Sequence, residues 1–328
     1  MQPLRSAGAI LCLHGITSPA LPGQSVAHVP VERFEALLAA VREVGQLVPL
    51  RDLVARHLAG RGTAGLVALT ADDAYASLLV EAADLVRREE VPITVFAVTQ
   101  AAAAGAHYWW DRIDDLFDRI PPERWRAFED ACGLPAEYRN GQPAQYGPLR
   151  PLRQWLLAAH RGLWPQALAP MLHDLEVEAG THTSQRSMTF EELARFAALP
   201  SVDIGVHTVS HPVLPLLPDA ELTGEIARGY EELRERLRDV VPILAVPFGL
   251  FDDRTLTLAR KAGMMTSLTL GGVTLRGHHG VDDLPRFCLS RDDRPTKLRL
   301  RLTGLLDPGR WSWRRLGPRY PALPSATT

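Results

Sequence analysis

The stretch from Gly65 to Thr99, "GLVALTADDAYASLLVEAADLVRREEVPITVFAVT", decides how this chain folds. It opens with a short apolar run, "GLVALT", the signature of a buried strand. "AYASLLVEAADLVRREE" follows and sets Leu78, Leu79, Ala82, Leu85 and Val86 on one helical face. "VPITVFAVT" then returns to β-branched residues and reads as a second strand. Strand, helix and strand in this order imply two parallel strands joined by a right-handed helical crossover.

The same rhythm extends in both directions. Upstream, "GAILCLHG" is a strand, and "VPVERFEALLAAVREVG" places Phe34, Leu37, Leu38, Val41 and Val44 at helical spacing with Gly45 as the stop. From about residue 105 to 186 the rhythm breaks into helical segments around a Pro/Gly-rich joint, which we take as a helical insertion. "SMTFEELARFAAL" resumes it, with Thr189 and Glu192 at capping-box spacing. "VDIGV", "PILAVPFG", "MTSLTL" and "LPRFCLS" are further strands, separated by the helices "PDAELTGEIARGYEELRERL" and "DRTLTLARKAG". The expected fold is α/β, a distorted or partial barrel of the (β/α)7 type with the insertion at about 105–186. It would occupy residues 1–300, with 301–328 as a C-terminal extension. An open doubly wound sheet is the competing architecture. No G-x-G-x-x-G turn follows the first strand, so a dinucleotide site is not expected.

Composition narrows the partners. A formal charge of -2 over 328 residues gives no reason to expect nucleic acid. Three cysteines, Cys12, Cys132 and Cys288, have no paired spacing and are expected to be free thiols. No apolar run approaches the roughly 20 residues of a membrane span, and no signal-peptide pattern is seen, so the expected location is cytoplasmic. The basic and apolar stretch "KLRLRLTGLLDPGRWSWRRL" suits either peripheral membrane contact or a helix packed on the barrel.

Three segments at the C-terminal ends of strands carry the candidate chemistry, where βα barrels gather their catalytic groups. Asp72 and Asp73 end the first quoted strand; one aspartate there is a common helix cap, but two adjacent carboxylates repel unless a cation lies beside them. "VDIGVHTVSHP" puts His207 and His211 four residues apart just past another strand. Two neutral imidazoles and one carboxylate make a three-ligand, open-sited metal centre. "LAVPFG" sets Pro247 and Phe248 in a stiff turn on the same rim, where the Phe248 N–H can face an oxyanion. Arg286 in "LPRFCLS" is a candidate to orient a carboxylate.

The set "LTADDAY", "VPITVFAV", "IGVHTVSHP", "AVPFG" and "LPRF", in this order, resembles the polysaccharide deacetylase family (NodB-homology domain, carbohydrate esterase family 4). "AILCLHGIT" is similar to the opening "YHR"-type strand of one branch, and "HYWWDRIDDLF" to its Trp-Trp-Asp-Arg segment. The resemblance implies a distorted (β/α) barrel and a metal-dependent hydrolase of carbon–nitrogen bonds. It gives Asp72 the role of general base and makes Asp73, His207 and His211 ligands of a divalent metal, usually zinc, with cobalt, manganese or iron as alternatives. The implied activity is removal of an N-acyl group, foremost N-acetyl, from an amino sugar of a polysaccharide, oligosaccharide or glycolipid. A deformylase of a lipid-linked amino sugar, another amidase on the same site, or an inactive glycan-binding protein are the alternatives.

The chain departs from the family pattern in four places. Ala71 and Ala74 stand where phenylalanine and glycine flank the aspartates, so Ala74 is expected to hold an ordinary negative φ. Ala245 replaces an arginine that steadies the base, a task we pass to Arg286. The late Leu-His motif has no clean counterpart. His279 is the expected general acid, with His278 and His14 as alternatives. Tyr75, Trp110 and Pro247 are the expected substrate contacts, although Trp109 and Trp110 equally suit packing of the insertion.

Overall fold

A computed structural model describes residues 7–17, 27–117, 119–135, 150–179, 185–271, 274–275 and 282–306. Among these, seven parallel strands close into a barrel: β1 (Ala9–Leu13), β2 (Leu66–Ala71), β3 (Ile93–Ala97), β4 (Val202–Val206), β5 (Val240–Ala245), β6 (Thr266–Leu270) and β7 (Asp283–Cys288). The ring closes because β1 pairs with β2 on one side, Leu11 opposite Leu69, and with β7 on the other, Cys12 opposite Cys288. An open sheet would leave both outer strands unpaired, and the closure removes that alternative.

Seven strands leave little space inside, and the sequence fills it with alternating large and minimal side chains. Phe96 of β3 occupies the barrel interior because β4 offers it Gly205; a Cβ there would sit 2.3 Å from the Phe96 ring. Ile10, Ala68, Phe96, Ile243, Ala245, Leu268 and Leu284 form this inner cluster. The opposite faces of the strands bury Leu11, Leu69, Val95, Ile204 and Leu244 beneath the surrounding helices.

Those helices follow the expected pattern, with additions. α1 (Val31–Val44) ends at Gly45, and α2 (Leu50–Leu58), which the periodicity did not single out, buries Leu50, Leu53 and Val54. The β2–β3 crossover starts with a π-turn at Leu78–Ala82 before α3 (Ala83–Arg88). α4 (Thr99–Ala104) is a further short helix that the sequence reading passed over.

The insertion supplies α5 (Trp109–Phe117), α6 (Pro122–Ala131), α7 (Arg150–Ala159) and α8 (Ala169–Ala179). They share a separate apolar cluster built on Trp109, Ile113, Trp125, Leu156 and Leu172. Its two ends meet where His107 bridges Arg186. α9 (Phe190–Ala197) begins with the expected capping box of Thr189 and Glu192. α10 (Asp219–Arg236), α11 (Asp253–Lys261) and α12 (Pro295–Leu302) complete the outer layer. α12, the described part of the basic C-terminal stretch, buries Leu298 and Leu302 and pairs Arg299 with Glu43 of α1.

Among the described residues no helix is long and apolar enough to cross a membrane.

Candidate metal centre and active site

The aspartate loop turns sharply as it leaves β2. Asp73 and Ala74 both take left-handed backbone angles, φ 66° and 49°. The expectation that Ala74 would hold an ordinary φ is therefore corrected: the alanine adopts the glycine-like conformation. Its surroundings keep it there, since the Ala74 carbonyl accepts from the Met188 N–H at 2.7 Å and the side chain is fully buried. Forcing a Cβ into this region costs roughly 1–2 kcal/mol, tolerated here because the turn aims Asp73 into the barrel mouth.

The histidine loop is built with similar strain: Thr208 and His211 have φ 70° and 60°. Two features of α10 hold it. Glu225 accepts from the Val209 and Ser210 N–H groups at 3.1 and 2.8 Å and from the Ser210 hydroxyl at 2.9 Å. One turn later Gly229 lets the loop backbone touch the helix; a Cβ there would lie 3.0 Å from the Thr208 carbonyl carbon. The sequence reading missed both, since neither residue type announces a partner four or five turns of chain away.

These loops bring Asp73, His207 and His211 together. The Asp73 Oδ1 atom lies 3.5 Å from His207 Nε2 and 3.6 Å from His211 Nε2, and the two nitrogens are 3.1 Å apart. Oxygen and nitrogen ligands about 2.0–2.2 Å from a tetrahedral zinc ion sit about 3.3–3.5 Å from one another, close to these spacings. Direct hydrogen bonds to the carboxylate would be shorter. Asp73 Oδ1 is buried and has no hydrogen-bond partner, an orphan that a cation would satisfy. His207 Nδ1–H donates to the Ala245 carbonyl at 2.7 Å, which leaves the Nε2 lone pair facing the other two ligands. The donor set fits a divalent metal.

Electrostatics agree with that fit. Burial lowers His207 to about 4 and His211 well below its ordinary value, so both rings are neutral near pH 7 and able to offer a lone pair to a metal. Burial, opposed in part by His14 and reinforced by Asp72, pushes Asp73 up to about 8 in the metal-free chain.

Asp72 behaves oppositely. Burial would raise it, but the Arg286 guanidinium, with help from His207, outweighs burial and holds it well below the usual carboxylate range. Arg286 grips it through both oxygens, Nη1 to Oδ1 at 2.7 Å and Nη2 to Oδ2 at 2.8 Å, with Nη1 also on Thr70 Oγ1 at 3.2 Å. Arg286 itself is 1% exposed. The Cys12 thiol donates to Asp72 Oδ2 at 3.4 Å.

The remaining candidates divide. The Phe248 turn has φ 57°, and its ring meets His211 edge-on with centroids 4.4 Å apart. Trp110 lies 4.8 Å from the His211 ring and stacks on Tyr108, whose hydroxyl donates to the Asp73 carbonyl at 2.7 Å. Pro247 is buried behind Phe248. Tyr75 is 1% exposed, its hydroxyl committed to Asp111 while accepting from Trp110 Nε1 at 3.0 Å. Asp111 also meets His28 at 3.0 Å. Asp111, His28 and Tyr108 were not singled out in the sequence, although Asp111 lies in the quoted "HYWWDR" segment. Trp109 packs in the insertion and donates to the Gly162 carbonyl at 2.9 Å. His278 and His279 lie outside the described residues. His14 lies at the barrel mouth, with a buried Nδ1 that has no hydrogen-bond partner. Burial alone would lower its imidazole; contact with Cys288 and the charges of Asp73 and Asp72 prevail and raise it to about 10.

Residues 160–267, which contain the histidine loop, match the family model for polysaccharide deacetylase. The matched stretch is 108 of the 328 residues. Members of that family are hydrolases that act on carbon–nitrogen bonds other than peptide bonds. The fold is similar to that of the Streptococcus pyogenes deacetylase PplD in complex with acetate: TM-score 0.58, 15% identity, covering 91% of this chain and 99% of that one. IcaB from Ammonifex degensii is similar at TM-score 0.57 and 17% identity, over 90% of this chain and 97% of that one. The BpsB deacetylase domain from Bordetella bronchiseptica gives 0.51 and 15%, over 86% and 95%. A search of curated proteins found no match.

Proposed function

We propose that this chain removes an N-acetyl group from an amino sugar of a glycan, using a divalent metal, zinc first, held by Asp73, His207 and His211. The observation that carries the reading is the orphaned Asp73 Oδ1 facing two imidazole nitrogens, beside a second carboxylate clamped by arginine. A cation bound there supplies Lewis acidity toward the amide carbonyl and an acidified water.

The chain's own groups do the rest. Asp72, kept ionised by Arg286, takes a proton from the attacking water. Arg286 is a positioning residue: its two parallel hydrogen bonds fix the plane of that carboxylate. The Phe248 amide, carried to the rim by the strained turn, stabilises the developing oxyanion. His14 delivers the proton that the leaving amine needs, the part expected of His279 from sequence. Trp110 offers an aromatic face for the sugar, while Tyr75 acts indirectly by holding Trp110. The products are acetate and a free amino sugar.

The test is metal content together with acetate release from a panel of N-acetylated sugars and oligosaccharides, for the wild type, Asp72→Asn and His207→Ala. We expect the wild type to turn over a member of the panel, His207→Ala to lose metal and activity, and Asp72→Asn to keep metal but lose turnover. A wild type that takes up no zinc, cobalt or manganese at the Asp73 centre would overturn the reading.

A further inference from the structure

A second group of possible ligands faces the same barrel mouth, and it includes His14, the proton donor proposed above. Cys12 of β1 and Cys288 of β7 are register partners on neighbouring parallel strands, so their side chains emerge on one face. His14 follows Cys12 by two positions and projects to that same face. The sulfur of Cys12, the sulfur of Cys288 and a ring nitrogen of His14 all lie within 4.8 Å of one another. Zinc bound at about 2.3 Å from sulfur and 2.0 Å from nitrogen needs its ligands about 3.5–3.8 Å apart, a closure of at most about 1.0–1.3 Å.

We infer that Cys12, His14 and Cys288 form a second, thiophilic metal site, distinct from the Asp73 centre, which takes zinc and inhibits the enzyme when filled. Two thiols and one imidazole are a soft donor set that selects zinc over magnesium or calcium. Three protein ligands leave one position open, and Cys288 is exposed, which gives an ion a way in. A disulfide between the two cysteines would use both sulfurs but would leave the buried His14 Nδ1 without a hydrogen-bond partner, which a metal ion would supply.

The inhibitory consequence rests on the deacetylase reading; the site itself rests only on its donors. A metal on Cys12 removes the thiol hydrogen now donated to Asp72 Oδ2. Bound to His14, it blocks the nitrogen that would otherwise protonate the leaving amine. The two ions therefore have opposite effects, the first required and the second suppressive.

Cobalt(II) titration of the reduced, metal-stripped full chain tests this. A cobalt ion held by thiolates shows a sulfur-to-cobalt charge-transfer band that an aspartate–histidine site lacks. The wild type should bind two equivalents and develop that band; His207→Ala should keep it. Cys288→Ser should bind one equivalent without the band, retain hydrolysis, and resist inhibition by excess zinc that suppresses the wild type at least tenfold. The band appearing in a protein without turnover on any glycan would leave the site standing while the deacetylase reading fell. One equivalent and no band in the reduced wild type would overturn the proposal. So would a band that survives in Cys288→Ser, or cysteines that pair as a disulfide and take up no cobalt once reduced.

Discussion

Arg286 and Asp72 form a buried ion pair: the Arg286 side chain is 0% exposed and that of Asp72 7%. Removing one partner leaves the other charge unpaired in a low-dielectric site, which costs about 3–5 kcal/mol. Arg286→Ala should therefore lower the melting temperature sharply as well as abolish turnover. Arg286→Lys keeps the charge but loses the fork, and should regain most of the stability while activity stays at least tenfold down. Asp73 makes a second prediction, about pH. Its carboxyl rises from about 3.9 in an unfolded chain to about 8 in the metal-free fold. The native state then holds a proton that the unfolded state has released, so stability present at acid pH falls as the pH rises towards 8. His207, lowered to about 4, acts in the opposite sense, but only below its ordinary value of 6.5. His14, raised to about 10, acts with Asp73 above that value. The metal-stripped protein should lose at least about 1–2 kcal/mol between pH 6.5 and 8. Zinc, which needs the ionised Asp73, should restore more stability at pH 8 than at 6.5. Melting curves with and without zinc at the two pH values check the sign.

At the scale of elements, the strands and the candidate ligands at their ends were legible because each loop carries its polar residues within a few positions of an apolar run. "TADD" and "HTVSH" could be placed on one rim before any geometry was known. Their supports were not legible, because they come from elements distant in sequence. Glu225 and Gly229 read as ordinary positions on an amphipathic helix, and Ala74 reads as a residue that avoids positive φ; only the packing of the loops explains them. Gly229 offers the clearest test. A branched side chain there would press on the Thr208 backbone between the two histidines, where a Cβ alone lies at 3.0–3.3 Å. Gly229→Val should keep the helical content, yet weaken zinc binding at the Asp73 centre tenfold or more. Circular dichroism and metal titration separate the two effects. Unchanged zinc affinity would mean that the histidine loop does not depend on this contact.

For the molecule as a whole, the barrel brings the three candidate ligands together and the insertion packs beside them. The insertion has its own apolar core, yet its first helix places Trp110 against His211, and its Gly162 fits beside the Phe248 ring, 2.7 Å from a Cβ built there. Asp111 is a buried polar link between the two bodies. From α5 it binds His28, just before α1, and Tyr75, which leaves the aspartate loop and in turn holds the Trp110 indole. The sequence could not announce this hub, since a single aspartate among the charged residues of α5 looks like part of a solvated face. In the fold Asp111 is 6% exposed, and its partners come from segments 83 and 36 residues away. Replacing it leaves buried donors unsatisfied, at a cost of about 1–3 kcal/mol. If Asp111 couples the insertion to the catalytic loops, Asp111→Ala should bind zinc normally at Asp73, His207 and His211. Its insertion should nevertheless exchange amide hydrogens faster over Trp109–Phe117 than the barrel strands do. Turnover should fall more than metal affinity, because Trp110 and Phe248 lose their mutual alignment while the ligands keep theirs. A uniform rise in exchange across barrel and insertion would instead make Asp111 a general prop of the fold, and the insertion a cover that the chemistry can do without.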